Sequence, residues 1–456
     1  MVQRFKKLFH GDIHFKELIK GSITSFGVKL LGTGLGFLAT IVTTRYYGAD
    51  ALGVASLVFV ILNFANIIGK AGLETAGLRF VSEYNTQNKP ERVKEVYIKA
   101  VLIILCVSLP VGAILYFIAP YLANNVYHKP YLESFIRSQG FLVAPLALSY
   151  LNWECLRALK KVGWYMFYNS VSLYLFITLI MLGVWYYYVP NQVPKDLRNE
   201  ITVNVQNISI FVTFLLSTIA WLSSSNFFKV KTEFTIQYKV LLNVAIPMLL
   251  AGSIFFIQNW MATLVLGKYG TDKDVGVFNA VTKVASISSI FLYAINSISA
   301  PKFTELFSKN DTNGLQKFVT KSTMMIFFTS LPVLFVFCLC PGYVLSYFGG
   351  EFRPGAAALV IMTIGQFLSM MSGSVGYLLV MTGFQRVYQN IITFTSIINL
   401  ILCFVLIPPY GILGAAISNA VTVALWNFIA VAAIKKKLNI LTVYFPGINY
   451  LRRLNS

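Results

Sequence analysis

The sequence predicts an all-α integral membrane protein of about 12 transmembrane helices, arranged as two parallel-repeat six-helix bundles. Three observations lead there. The 456 residues are 57% hydrophobic and only 12% charged, about half the charge of an ordinary soluble domain. Apolar runs of roughly 20 residues, each long enough to cross a bilayer core, recur along the whole length. The chain also repeats itself. Tyr47-Gly48-Ala49-Asp50 returns as Tyr269-Gly270-Thr271-Asp272, Gly53-Val54 as Gly276-Val277, Arg79-Phe80 as Lys302-Phe303, Glu83 as Glu305 and Lys99 as Lys321, all at a nearly constant offset. Internal similarity at half the chain length, in so apolar a sequence, is the mark of a transporter built from two copies of one bundle.

The elements follow in order. Residues 1–20 are basic and moderately amphipathic, without the apolar core of a signal sequence, and read as a short helix on the membrane surface. The first bundle, 21–225, holds spans at roughly 22–44, 51–69, 97–119, 139–158, 164–189 and 204–225. A linker, 226–239, leads to the second bundle, 240–434, with spans at roughly 240–266, 276–299, 322–347, 357–381, 387–407 and 412–434. A basic tail, 435–456, follows. The first span carries Gly27, Gly32, Gly34 and Gly36, small enough for close helix approach. Pro110, Pro145, Pro247 and Pro332 fall inside spans, where proline kinks a helix and frees a carbonyl for a neighbour or water. The segments near 70–96 and 300–321 follow the second span of each half, match in the repeat and read as amphipathic surface helices.

Basic residues set the orientation. With both termini inside, the inner segments collect 27 Lys and Arg and the outer ones eight, the asymmetry of a positive-inside topology. The net charge of +20 is thereby assigned to the cytoplasmic membrane surface. No basic stripe interleaved with aromatics suggests nucleic acid. An even number of spans per half gives both copies the same orientation, related by an axis along the membrane normal, with a central cavity that rocking opens to each side in turn.

Ionisable groups inside a membrane are expensive and usually face a polar cavity. The candidates for binding substrate are Lys29 in the first span, Arg45 at its end, Lys283 with Asn279 one turn earlier in the eighth, and Glu154 with Arg157 near the inner end of the fourth. The last two stand close enough to form a local ion pair at the interface, the more economical reading. The set is mostly cationic, with Glu154 its only acid, and suits an anionic head group such as a phosphate or pyrophosphate. Asn63, Asn66, Gln258, Asn259, Gln366, Asn399 and Asn419 add hydrogen-bonding capacity of the kind sugars need. The aromatics, including Trp185-Tyr186-Tyr187-Tyr188, read as interfacial belt residues.

Other chemistry is not encoded. Cys106, Cys155, Cys338, Cys340 and Cys403 all lie in apolar segments and read as packing residues, and His10, His14 and His128 lie outside the apolar runs. There is no phosphate-binding loop and no nucleophile, base and acid set. No cofactor, metal or covalent catalysis is expected, and an ion gradient (H+ or Na+), the membrane potential or the substrate's own gradient has to drive transport.

Four blocks carry a resemblance. They are Thr43-Thr44-Arg45-Tyr46-Tyr47-Gly48 ending the Gly-rich first span, Gly72-Leu73 through Arg79-Phe80-Val81-Ser82-Glu83-Tyr84, its echo Ala300-Pro301-Lys302-Phe303, and Ile407-Pro408-Pro409-Tyr410-Gly411-Ile412-Leu413-Gly414-Ala415-Ala416. In order and spacing they are similar to the polysaccharide transporters, the O-antigen type flippases of the multidrug/oligosaccharidyl-lipid/polysaccharide superfamily. The resemblance covers nearly the whole chain. It implies a MATE-like fold of two lobes around a cationic cavity, and a non-enzymatic protein of the inner membrane that flips an undecaprenyl-pyrophosphate-linked oligosaccharide for O-antigen, capsule or a related glycan. A polysaccharide polymerase is then an expected partner. No named site residue is taken from the family. Three alternatives remain at this point. Multidrug efflux antiporters of the same superfamily look acidic in the membrane, polymerases or ligases carry a long outer loop, and a non-transporting assembly scaffold is the third. Related lipid II flippases resemble chains with two more spans.

Overall fold

The computed structural model describes residues 13–187, 193–231 and 234–444. Residues 1–12, and the end of the basic tail with Arg452 and Arg453, lie outside them. Among the described residues all regular structure is helical. Helix α1 (Ile13–Lys70) contains two spans joined at one residue, Gly48, whose φ of 91° and ψ of 174° break the helix. A side chain would be strained there, so this first copy of the Tyr-Gly turn needs its glycine, whereas its echo Gly270 has an extended backbone with φ of −109°. Then come α2 (Leu73–Thr86), α3 (Pro90–Tyr121), α4 (Leu132–Ala158), α5 (Val162–Met166), α6 (Leu173–Tyr187) and α7 (Lys195–Ser224). A π-helical turn, Phe167–Ser172, joins α5 to α6 as one span.

The second bundle is built from α8 (Tyr238–Tyr269), α9 (Asp272–Ser286), α10 (Ser289–Ser308), α11 (Thr312–Leu339), α12 (Pro341–Ser346), α13 (Ala356–Ser372), α14 (Val375–Met381) and α15 (Gln385–Leu438). α15 again contains two spans, broken at Gly411. Among the described residues eight helical stretches are long and apolar enough to cross a membrane, and α9 with the start of α10 makes a ninth, bent by 42°. Counting both halves of α1 and of α15 leaves α4 to complete the twelve. Its packed face carries buried Gln139, Ser149 and Asn152, so average hydropathy under-reads a helix whose polar groups are turned inward.

The two halves diverge where their glycines do. After the second span of the first half, Ala71 and Gly72 take φ of 50° and 74° and separate α1 from α2. The matching positions of the second half are Ala294 and Ile295, and there α10 runs straight on to Ser308. The expected surface helix near 300–321 is therefore no separate element: it is made of the end of α10 and the start of α11. The four prolines expected to kink spans lie inside α3, α4, α8 and α11; the non-helical residues within helices are Gly48 and Gly411. In the first span, Gly32 packs on the Ser170 backbone and Gly36 against Tyr174 and Lys283, while Gly27 and Gly34 meet nothing within 4 Å among the described residues.

The bundles share a core at one end and part at the other. Near Gly48, Val54, Leu57, Val58 and Ile61 of α1 form one cluster with Val275, Val277, Phe278 and Val281 of α9. Towards the chain termini the cores are separate, one around Leu73, Val96, Leu151 and Trp221, the other around Phe303, Val319, Leu378 and Ile434. We call these the kinked end and the terminal end.

The chain leaving each bundle is gripped in the same way. Glu95 Oε1 accepts from the Ile236 N–H at 2.6 Å and from Lys99 Nζ at 2.7 Å. In the second half, Gln316 accepts from the Leu441 N–H and donates to the Leu441 carbonyl, both at 2.8 Å.

Candidate functional site: a chamber between the bundles

Because the cores part, a chamber opens between the bundles. Its wider section, 720 Å³, lies toward the terminal end and is lined by Lys29, Leu30 and Thr33 of α1, and otherwise by the second bundle, including Gln258, Tyr293, Gln366, Tyr388 and Trp426. A narrower section of 270 Å³ reaches toward the kinked end, between Thr40, Thr43, Ser56, Tyr174 and Gln206 on one side and Trp260, Asn279 and Lys283 on the other. Asn259, Thr282, Ser286 and Asn419 line both sections, which makes them one space.

Two cations mark it. The Lys29 ammonium stands over the Tyr293 ring, 3.6 Å from its centroid. Lys283 Nζ donates to the Gly36 carbonyl at 2.9 Å and to Thr40 Oγ1 at 2.5 Å, and lies 4.7 Å from the centroid of Tyr174. Each lysine thus reaches across to the opposite bundle. Their partners are dipoles and aromatic faces, and among the described ion pairs neither lysine appears. Among the described residues they are the only charged ones lining the chamber. A desolvated ammonium held only by dipoles keeps most of its attraction for an anion, since no carboxylate cancels it. Asn296 Oδ1 and Ser374 Oγ, in the wider section, are buried without a hydrogen-bond partner among the described residues, which leaves polar capacity for a ligand.

The six residues singled out from the sequence fall in three places. Lys29, Lys283 and Asn279 line the chamber. Arg45 sits at the kinked end, its Nε donating to the Tyr347 carbonyl at 2.9 Å, outside the lining. Glu154 and Arg157 pair at 3.4 Å near the terminal end of α4, with Arg157 over the Tyr165 ring, and they do not line the chamber either. The chamber's sign therefore comes from two lysines rather than from a larger set. Tyr174 and Tyr293 go unread in the sequence because nothing separates a ring that holds an ammonium from 25 tyrosines in all. Only the facing lysine gives them away.

The kinked end is shut. A Cβ on Gly53 would overlap the Asp272 carbonyl oxygen, and one on Gly276 would overlap that of Ala49. The backbones of α1 and α9 touch there. This chamber is thus closed at one end and widens toward the other.

Comparison with known proteins agrees with this geometry. A family model described as "Polysaccharide biosynthesis protein" matches residues 18–307. The chain is 23% identical over 414 residues to the "Probable low-salt glycan biosynthesis flippase Agl15" of Haloferax volcanii, covering 90% of this chain and 81% of that one. It is 22% identical over 210 residues to the capsular polysaccharide biosynthesis protein CapF of Staphylococcus aureus, covering 45% of this chain and 52% of that one. Among solved structures it is similar to the lipid II flippase MurJ in an inward closed conformation, with a TM-score of 0.71 at 14% identity over 91% of this chain and 87% of that one. It is also similar to an inward-facing multidrug resistance MATE family transporter of the MOP superfamily, with a TM-score of 0.67 at 14% identity over 92% and 98%. At these identities the structural likeness is one of fold.

Proposed function

Since the chain belongs to the polysaccharide biosynthesis protein family, we propose that it is a flippase for a lipid-linked oligosaccharide, working by alternating access. The substrate we assign is an undecaprenyl-pyrophosphate-linked repeat unit of O-antigen, capsule or a related surface polysaccharide. The observation that carries this reading is the pair Lys29 and Lys283, the only charged residues on the described chamber wall. They suit a phosphate or pyrophosphate group, and the amides and hydroxyls around them suit sugar hydroxyls. The relatives described as flippases or as capsule biosynthesis proteins point the same way.

The bias of basic residues supports placing both termini in the cytoplasm and the protein in the inner membrane. The terminal end of the chamber then faces the cytoplasm, where such a lipid would be loaded. The division into 21–225, 226–239 and 240–434 is read as two lobes and their linker. H+ or Na+ is the proposed coupling ion, a polysaccharide polymerase the proposed partner, and no covalent chemistry is assigned. The efflux reading needs an acid in the chamber, and the described lining offers none.

Lys29→Ala and Lys283→Ala are the test. Both variants are expected to lower surface glycan while the protein reaches the membrane at its normal level. Normal surface glycan in both would remove the cationic-chamber reading. Neighbouring genes for glycosyltransferases and a polymerase would favour glycan transport over drug efflux.

A further inference from the structure

The kinked end carries more than packed glycines. Lys129, in the turn between α3 and α4 of the first bundle, crosses to the second. Its Nζ pairs with Asp272 Oδ1 at 2.8 Å and donates to the Gly267 and Gly270 carbonyls, each at 3.1 Å. The Tyr131 hydroxyl donates to the other oxygen of Asp272. Glu351, between α12 and α13 of the second bundle, crosses the opposite way. Its Oε1 accepts from the Ala49 N–H at 2.6 Å, just after the Gly48 break.

These two contacts are one contact made twice. Glu351 stands at the same offset from Lys129 as Asp272 does from Asp50. Each bundle sends the arm between its third and fourth spans onto the Tyr-Gly-x-Asp turn of the other. The arms differ in sign, and each sign fits its target. Lys129 sits on carbonyls at the C-terminus of α8, where a helix favours a cation, and Glu351 on an amide that begins a new helical run, where it favours an anion. Lys129 and Asp272 are only 15% and 14% exposed, so the pair is little screened by salt. Burial and the Asp272 carboxylate push the Tyr131 phenol up, which keeps it a donor.

We propose that the two crossed arms, Lys129 on Asp272 and Glu351 on Ala49, are the latch that holds the chamber shut at the kinked end, and that both must release before the chamber can open there. The latch rests on the transport reading only for its purpose; the state it controls can be measured without transport. With the chamber widening toward the terminal end, closure at the kinked end is where a barrier between the two sides has to stand. The shared core there is apolar and without direction, and the arms supply bonds with a discrete made and broken state.

The experiment uses the full chain with its native cysteines replaced and Ser56→Cys as reporter on the narrow section of the chamber. A membrane-impermeant thiol reagent is applied to intact cells and to inverted vesicles. Asp272→Asn and Lys129→Met are expected to raise labelling from the kinked-end side by at least about fivefold, the low end of a conformational coupling. Adding Glu351→Gln raises it further. Labelling within about twofold of the parent in the Lys129→Met/Glu351→Gln double variant, at normal protein level, overturns the latch. Should these variants fail to accumulate, Lys129→Cys with Asp272→Cys, joined by a bifunctional thiol reagent, is expected to stop glycan export until the linker is reduced. Export that continues through complete cross-linking also overturns it. A labelling change seen in inverted vesicles instead of cells reverses the proposed orientation and leaves the latch standing. A labelling change with surface glycan untouched in every Lys29 and Lys283 variant sinks the flippase reading alone.

Discussion

Gly53 of α1 and Gly276 of α9 are the same residue of the repeat, and in the fold they face each other. A Cβ on Gly53 would lie 3.0 Å from the Gly276 nitrogen, and one on Gly276 would lie 3.1 Å from the Gly53 nitrogen. The duplicated glycine is thus the point where the two copies meet, and the absence of two side chains sets how closely the bundles approach.

That contact predicts the effect of one added methyl. Gly53→Ala or Gly276→Ala drives a carbon into a backbone carbonyl, an overpacking that typically costs about 1–3 kcal/mol. The expected outcome is a lower Tm in detergent together with freer labelling of Ser56→Cys from the kinked-end side. Gly27→Ala, with nothing within 4 Å among the described residues, is the control and should leave Tm unchanged or raised, since alanine favours helix. Equal Tm for all three would show that the close approach does not constrain the bundles.

The rings over the lysines make a second prediction. A cation–π contact contributes about 0.5–2 kcal/mol depending on burial. Tyr293→Leu and Tyr174→Leu are therefore expected to lower surface glycan several-fold at unchanged protein level, and Tyr293→Phe to stay near the parent, since the ring and not the hydroxyl faces Lys29. If leucine and phenylalanine behave alike at 293, the ring is not what positions the ammonium.

A third concerns the linker. Glu95 is fully buried and holds both Lys99 and the Ile236 amide. Its removal leaves Lys99, 6% exposed, without its carboxylate, and breaking a buried pair this way costs about 3–5 kcal/mol. Glu95→Ala should lower Tm and open residues 226–239 to protease. Glu95→Gln keeps an acceptor for Ile236 and should cost less. A linker equally resistant in all three proteins would mean that other contacts hold it.

The fourth is a pH effect at the end of α10. Glu305 accepts from Lys302 Nζ at 2.7 Å and Lys309 Nζ at 2.9 Å, and these bonds hold its carboxyl below the ordinary 4.5. A depressed carboxylate stabilises the fold above the unfolded value, and that contribution fades as pH falls through the folded one. The group is 41% exposed, so the effect is at most a few tenths of a kcal/mol. Hydrogen exchange in the last turn of α10 should quicken, after correction for the intrinsic rate, as pH falls below the unfolded value of 4.5. Glu305→Gln should remove the step; a step that persists in that variant belongs to another group.

Features that repeat or average along the chain are legible in the residues alone. Twelve apolar stretches and a Tyr-Gly-x-Asp turn that returns half a chain later are enough for two six-helix bundles, because burial in lipid constrains composition along every span. Even Lys29 and Lys283 stand out, as unpaired charge in an apolar run must. The polar face of α4 needs the structure to explain it, since hydropathy averages over a helix without knowing which side is packed.

Which charges share a space is settled by packing. Arg45 resembles Lys29 on paper, yet one is spent on the Tyr347 carbonyl and the other faces the chamber. Nothing in the sequence singles out Lys129 and Glu351, and they become partners of the opposite bundle only when the duplicated turns are brought face to face. The cause is the same in each case. Transfer into lipid acts on residues one at a time, whereas a cavity or a latch is a relation between residues far apart in the chain, fixed only when the helices pack.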